Sequence, residues 1–113
     1  MSLAFYTIYR WQGRPTVSID LQFEWDGDKA ARNHRKHGVA FEESTTIFDD
    51  PGFITVVDDE HSLDEDRYIS IGMSNLGRLL MVAHTDRGGK IRIISAREAT
   101  KREERFYAES TES

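Results

Sequence analysis

The chain has 113 residues, of which 38% are hydrophobic and 31% charged, with a formal net charge of −5 at neutral pH. This length supports one domain with a modest core. The absence of cysteine excludes disulfides, thiolate zinc sites and a cysteine nucleophile, and the apolar runs are too short to cross a membrane, so we expect a cytoplasmic protein.

The sequence divides into an irregular start, one domain and a short tail. Residues 1–20 lack a clear periodicity and predict an N-terminal extension. Residues 21–109 carry the regular patterns of a single domain, and residues 110–113 are left as a tail.

Two helices are predicted at the start of the domain. The first begins after Asp26 or Asp28, either of which can cap it, and ends near His37, where Gly38 can adopt the left-handed conformation. Residues 41–48 predict a second, short helix. It ends at a run of aspartate, proline and glycine.

Four strands and a last helix follow. The strands are predicted at residues 53–57, 67–73, 78–85 and 90–97, and the helix at about 98–109. Short glycine-containing links between the last three strands predict hairpins and therefore antiparallel pairing. The predicted class is α+β, with two N-terminal helices, an antiparallel meander of about four strands and a C-terminal helix.

The charge is distributed unevenly despite the acidic total. Residues 42–66 hold ten acidic residues and no lysine or arginine, whereas residues 67–105 hold nine basic against four acidic residues. Residues 29–37 hold four basic residues, two histidines and no acid. Because the local field governs where a polyanion docks, the net charge does not exclude a nucleic-acid substrate.

Arginines on the predicted strands point to phosphate chemistry. A guanidinium held by a rigid sheet binds phosphate oxygens in pairs. Strict alternation places Arg67 on the face of Ile69, and places Arg92 and Arg97 on opposite faces of the last strand. Arg97, at the strand end, is then the better catalytic candidate.

RNA cleavage without a metal needs a general base for the 2′-hydroxyl, cations for the phosphorane and an acid for the leaving 5′-oxygen. His37 is a candidate acid or base because imidazole titrates near neutrality, although a helix-end histidine interacting with the helix dipole is an equally good interpretation. Lys36, Arg67 and Arg97 are candidates for charge stabilisation.

Other basic residues are candidates for binding rather than catalysis. Arg92, Lys101 and Arg102 are predicted RNA contacts, with a solvated helix face as the alternative for the last two. His84, in mid-strand, is interpreted as a packed or hydrogen-bonded residue. The run from Asp58 to His61 is rich in metal ligands but matches no known ligand spacing, so no metal or cofactor is expected.

Several motifs stand in a fixed order between about Leu21 and Tyr107. They are Phe23-Glu24-Trp25-Asp26, Lys36-His37-Gly38-Val39, Phe48-Asp49-Asp50-Pro51, and Arg92-Ile93-Ile94-Ser95-Ala96-Arg97 followed by Ala99-Thr100-Lys101-Arg102-Glu103. In this order they resemble the BrnT toxin family. The resemblance implies a RelE-like fold and a metal-independent ribonuclease toxin of a type II toxin–antitoxin system, which arrests translation and growth.

The same resemblance implies partners and a site. The partner would be a BrnA-type antitoxin with a ribbon-helix-helix segment, in a heterotetramer that contacts operator DNA only through the antitoxin. The motif positions put Lys36, His37, Arg67 and Arg97 in the catalytic cluster. Two alternatives stay open: a non-catalytic binding module that tunes operator binding, and a metal-dependent hydrolase.

Overall fold

The computed structural model describes residues 8–9, 21–62 and 65–112. The elements in chain order are β1 (Ile8–Tyr9), β2 (Phe23–Glu24), α1 (Gly27–His37), α2 (Phe41–Thr45), β3 (Ile54–Val57), β4 (Tyr68–Met73), β5 (Leu79–Arg87), β6 (Lys90–Glu98) and α3 (Lys101–Glu112). The predicted α+β class is confirmed. Apart from β1, the predicted extension of residues 1–20 lies outside the described residues.

The described strands form one sheet in the order β1-β3-β4-β5-β6-β2. The predicted meander corresponds to β3 through β6, which pair antiparallel as expected. The link between β5 and β6 is a tight turn in which Gly88 and Gly89 have φ values of 59° and 81°, a conformation that disfavours other residues. Two short strands extend the meander: β1 pairs antiparallel with β3, and β2 pairs parallel with β6.

Helices cover both faces of the sheet, and each face has its own apolar cluster. On one face, α1 and α2 pack on a cluster that includes Phe41, Ile47 and Leu80, all fully buried. On the other face, Phe106 and Tyr107 of α3 pack on a cluster of β3 and β4 side chains. We call these the α1 face and the α3 face.

A β-bulge in β6 overturns the strict alternation assumed from the sequence. Ala83 of β5 pairs with Ser95, but the next residue, His84, pairs with Ile93, so Ile94 is an extra residue in β6. Ile93 and Ala96, three positions apart, consequently both lie in the α1-face cluster. The assignment of Arg92 and Arg97 to opposite faces was therefore wrong.

Helix α1 is joined to β6 by a buried asparagine. Asn33 donates from Nδ2 to the carbonyls of Ala96 (2.8 Å) and Val39 (3.0 Å), and its Oδ1 accepts from the Ala96 N–H (3.1 Å). The amide thus satisfies both backbone groups of Ala96, as a neighbouring strand would. The caps of α1 are the predicted ones, Asp26 at the start and Gly38, with φ of 70°, at the end.

Helix α3 begins three residues later than predicted, because β6 continues through Glu98. Thr100 and Glu103 form a reciprocal capping box: the Glu103 N–H donates to Thr100 Oγ1 (3.2 Å), and the Thr100 N–H donates to Glu103 Oε1 (2.9 Å). The helix continues to Glu112, beyond the predicted end near residue 109.

A partly buried ion-pair network fastens α2 to the β4–β5 turn. The Arg78 guanidinium donates to both carboxylate oxygens of Glu43 and to the carbonyl of Gly38, and Ser74 Oγ also donates to Glu43 (2.7 Å). Hydrogen bonding to Arg78 outweighs burial and holds the pKa of Glu43 below its usual range. The network fixes the end of α1 relative to the sheet.

Candidate functional site

The bulge brings basic side chains together on the α3 face. Residues paired across a ladder share a face, so the pairs Met81–Arg97, Ala83–Ser95 and Thr85–Arg92 all project toward this side. Phe106 and Tyr107 pack on the apolar cluster of this face, as Met81 does. Beyond them, Ala83 and Ser95 form a floor of small, half-buried side chains.

Arg67 completes one end of this floor. It directly precedes β4, and the Tyr68–His84 register places it beside Thr85, whose hydroxyl donates to the carbonyl of Asp66. Arg67, Thr85 and Arg92 therefore form a row across three strands, in which the two arginines are about 10 Å apart at Cα. We call Arg67, Arg92 and Arg97, with the floor between them, the arginine face.

Two of the three arginines are held by carboxylates from flanking elements. Arg92 donates to Glu24 of β2 (3.1 Å), and both side chains are a little under one-third exposed. Arg97 makes a two-pronged contact with Glu103 of α3 (2.8 and 2.9 Å). Arg67 is half-buried and makes no side-chain ion pair or hydrogen bond within the described part of the chain.

Glu103 has two roles in this arrangement. It caps α3 and it orients Arg97, so the start of the helix and the guanidinium are fixed by one carboxylate. Burial alone would raise the pKa of Glu103, but Arg97 and Thr100 outweigh that effect and lower it. Glu103 is therefore ionised at neutral pH and pairs with a charged guanidinium.

The predicted catalytic set does not converge on one point. Arg67 and Arg97 are two strand spacings and about four residues apart, or roughly 16 Å between Cα atoms. Lys36 and His37 lie in the last turn of α1, one turn beyond Asn33, which is bonded to the residue preceding Arg97. By helix periodicity Lys36 lies on the side of Asn33 toward the sheet edge at Arg97, whereas His37 lies on the side of Ala30 and the α1 face.

Lys36 and His37 differ in their surroundings. Lys36 is exposed and forms no ion pair within the described residues, whereas His37 is half-buried on the core side of the helix. Lys101 and Arg102 are both exposed in the first turn of α3, directly before Glu103, and Lys101 is 3.7 Å from Glu104. These two predicted RNA contacts therefore directly precede, in the sequence, the residue that holds Arg97.

His84 is on the opposite, α1 face and is not available to substrate. It is 5% exposed, stacks on Tyr68 and contacts Ser70 Oγ through Nε2 (2.7 Å), which confirms its interpretation as a packed residue. Its Nδ1 has no partner among the described residues. Burial lowers the pKa of His84 to about 4, so the imidazole is neutral at physiological pH.

The lowered pKa of His84 predicts acid sensitivity. The unfolded chain binds this proton at about pH 6.5 and the folded chain only near pH 4, so the free energy of unfolding should fall as the pH drops between these values. The loss is on the order of 3 kcal/mol. Urea unfolding at several pH values measures it, and His84→Gln should abolish the slope between pH 6.5 and 4.5.

The carboxylates with a lowered pKa, Glu43 and Glu103, begin to destabilise the folded chain only as the pH approaches their unfolded value of 4.5, and they do so equally in wild type and His84→Gln. Equal slopes in wild type and His84→Gln between pH 6.5 and 4.5 would contradict the assignment. A wild-type stability that does not change across the window would contradict it as well.

One group of possible metal ligands occurs among the described residues. Asp58, Glu60 and His61 offer ligand atoms within 4.8 Å of one another, and His61 Nδ1 is 2.8 Å from Asp58 Oδ2. Glu60 and His61 are exposed, whereas Asp58 is buried. None of the described helices has the length and apolar content that crossing a membrane requires.

Sequence reasoning missed two residues that organise the site. The structural role of Asn33 was not predictable, because it depends on the free edge of β6 lying beside α1. Glu103 had a recognisable signal: threonine followed three residues later by glutamate is the capping-box pattern.

The sequence model of one family matches residues 25–103 of this chain, and its description is "Ribonuclease toxin, BrnT, of type II toxin-antitoxin system". The chain belongs to the BrnT ribonuclease toxin family. The matched residues include α1, the four-stranded meander and the start of α3, and hence the whole arginine face. The BrnT family assignment also implies an antitoxin partner, since the family is of the type II kind.

A solved structure supports the fold. The crystal structure of the Brucella abortus ribonuclease toxin BrnT is similar to this chain with a TM-score of 0.53 and 24% sequence identity, over 73% of this chain and all of that one. No curated protein matches the chain. The BrnT-like fold is thus shown by family and structure together, as the motif resemblance predicted.

Proposed function

We propose that this BrnT-family chain is a metal-independent endoribonuclease that cleaves RNA at the arginine face and thereby arrests translation and growth. The observation that carries the proposal is the bulge at Ile94, which places Arg92 and Arg97 on the same partly exposed face. Arg67 lies on that face as well. Three guanidiniums around a floor of small side chains suit an extended polyanion.

The proposed reaction uses the nucleophile that RNA itself carries. A general base removes the proton of a 2′-hydroxyl, the 2′-oxygen attacks the adjacent phosphorus, and the bond from phosphorus to the 5′-oxygen breaks as that oxygen is protonated. Arg97 stabilises the charge of the phosphorane, with Arg67 as the second candidate for this role, and Arg92 binds the RNA strand beside them. Lys36 and His37, in the last turn of α1, are the candidates for proton transfer and further charge stabilisation.

The ion pairs of the free protein favour a second candidate function. Arg92 and Arg97 are each already paired with a carboxylate, Glu24 or Glu103, which RNA phosphate would have to replace. A chain in which these pairs persist would be a non-catalytic module of an operon-repressing complex. The two functions differ in toxicity, because only the nuclease arrests growth by itself.

The proposed partner is a BrnA-type antitoxin with a ribbon-helix-helix segment. Such segments dimerise, so two toxins and two antitoxins would form a heterotetramer, with operator DNA contacted through the antitoxin alone. An acidic segment of the antitoxin lying on the arginine face would block RNA. The site of action is then the cytoplasm, where mRNA is translated.

Expression of the chain alone should arrest growth, and co-expression of the antitoxin should restore it. Arg67→Ala should relieve the arrest, since it removes a guanidinium that no described carboxylate neutralises. Arg105→Ala is the matched control: it removes an exposed cation from α3 and should leave the arrest intact. Colony counts after induction measure the effect.

The outcomes separate the alternatives. If wild type does not arrest growth but binds the antitoxin tightly, the binding module is the correct function. Arrest that persists in both Arg67→Ala and His37→Ala would contradict the proposed site. RNA cleavage that disappears with a chelator and returns with a divalent cation would identify a metal-dependent hydrolase.

A further inference from the structure

Among the described residues, half of the lysines and arginines that lack an ion pair lie on α1. Lys29, Arg32, Arg35 and Lys36 are all exposed, and none has a side-chain ion pair or hydrogen bond within the described residues. By contrast, ion pairs occupy most basic residues of the sheet and its turns, namely Arg78, Arg87, Arg92 and Arg97. The single acid of α1 is Asp28, in its first turn.

Three of these cations share one flank of the helix. At 100° per residue, Lys29, Arg32 and Lys36 lie within an arc of about 60°. This arc is on one side of Asn33, whereas Ala30, which packs against the α1-face cluster, is on the other. We call Lys29, Arg32 and Lys36 the α1 basic flank.

The hydrogen bonds of Asn33 fix this flank beside the arginine face. Asn33 is bonded to both backbone groups of Ala96 at the free edge of β6, and Arg97 is the next residue. Because the basic flank lies on the side of Asn33 away from the core, it borders the sheet edge next to Arg97. Charges on the flank and on the arginine face therefore adjoin one another.

We propose that the α1 basic flank is a second binding surface for the RNA strand, contacting phosphates that flank the cleaved bond. This inference rests on the proposed function, since the strand is the one bound at the arginine face. The flank spans about 10 Å along the helix. On a chain with a net charge of −5, unneutralised cations at this edge draw a polyanion to the site.

Contacts of this kind have a measurable signature. Phosphate contacts release counterions, and each one contributes about −0.7 to the slope of log K against log salt concentration for single strands. They also carry no sequence information, so the effect should be uniform across RNA sequences. An acidic protein segment bound to the flank would leave RNA affinity independent of these residues.

The test compares two double variants in binding a fluorescent single-stranded RNA that is 2′-O-methylated throughout and cannot be cleaved. Lys29→Gln with Arg32→Gln removes two flank cations and spares Lys36, a catalytic candidate. Its salt slope should be shallower by about 1.4 and its affinity at 0.1 M salt about tenfold lower or more. Lys90→Gln with Arg105→Gln removes two exposed cations elsewhere and should change the slope less.

Thermal unfolding of both variants shows whether they are folded. Equal slopes for the flank variant and wild type overturn the inference, as does weakened antitoxin binding with unchanged RNA binding. Wild type that fails to bind the RNA overturns it too. Wild type that binds RNA with the predicted flank dependence but cleaves none contradicts the proposed function and leaves the binding surface intact.

Discussion

Arg97→Ala should slow RNA cleavage by about a hundredfold to a thousandfold, the effect of removing one preorganised group that stabilises transition-state charge. Arg97 is the best oriented guanidinium of the arginine face, because Glu103 holds it at two points, 2.8 and 2.9 Å away. Loss of a group that binds only the transition state lowers kcat and leaves KM nearly unchanged. Single-turnover cleavage of a defined RNA measures this step.

The control for Arg97→Ala is Arg87→Ala, which also removes an arginine from an ion pair, here with Glu65 (3.2 Å) at the surface. Its cleavage rate should stay close to that of wild type. Because Arg97 and Glu103 also support the start of α3, both variants are compared by urea unfolding. A folded Arg97→Ala protein with the wild-type kcat would contradict a catalytic role for this residue.

Asn33→Asp should destabilise the protein by about 3 to 5 kcal/mol at neutral pH, the cost of an uncompensated buried charge. The substitution preserves shape but replaces the Nδ2 donor with an oxygen that faces the carbonyls of Ala96 and Val39 at 2.8 and 3.0 Å. The new carboxyl should therefore have a raised pKa in the folded state. The free-energy cost of burying the ionised carboxylate is absent at low pH, where the group is protonated, and grows as the pH rises.

Unfolding in urea at pH 5 and pH 7.5 measures this difference. Asn33→Ala is the control, since it loses the same three hydrogen bonds without adding a charge and should show a deficit that does not depend on pH. The effect of His84 on the free energy of unfolding is common to wild type and both Asn33 variants, so it cancels when they are compared at the same pH. An Asn33→Asp protein as stable as wild type at pH 7.5 would contradict the account of this tether.

The features predicted well from the sequence are those that depend on residues close together in the chain. Gly38 ends α1 and Gly88-Gly89 closes the last hairpin, because these turns require backbone conformations that glycine adopts without strain. Strand pairing followed from the short links. The family was predicted from several motifs in a fixed order, and the match of the family's sequence model to residues 25–103 confirms it.

The arrangement of the site was not predictable in the same way. Ile93 and Ile94 are both β-branched and apolar, so nothing local marks Ile94 as the extra residue of a bulge. The bulge depends on how β6 pairs with β5 while Ala96 bonds to Asn33, which is 63 residues away in the sequence. Strict alternation of side chains therefore predicted that Arg92 and Arg97 lie on opposite faces, whereas they lie on the same face of the folded chain.

The most direct test of the account is cleavage of one RNA by the purified protein in excess EDTA, compared with the same strand carrying 2′-deoxyribose at the cleaved nucleotide. We expect cleavage of the RNA, fragments with a 2′,3′-cyclic phosphate and a free 5′-hydroxyl, and no cleavage of the deoxy strand. Cleavage of the deoxy strand at the same rate, or cleavage that requires an added divalent cation, would contradict the account.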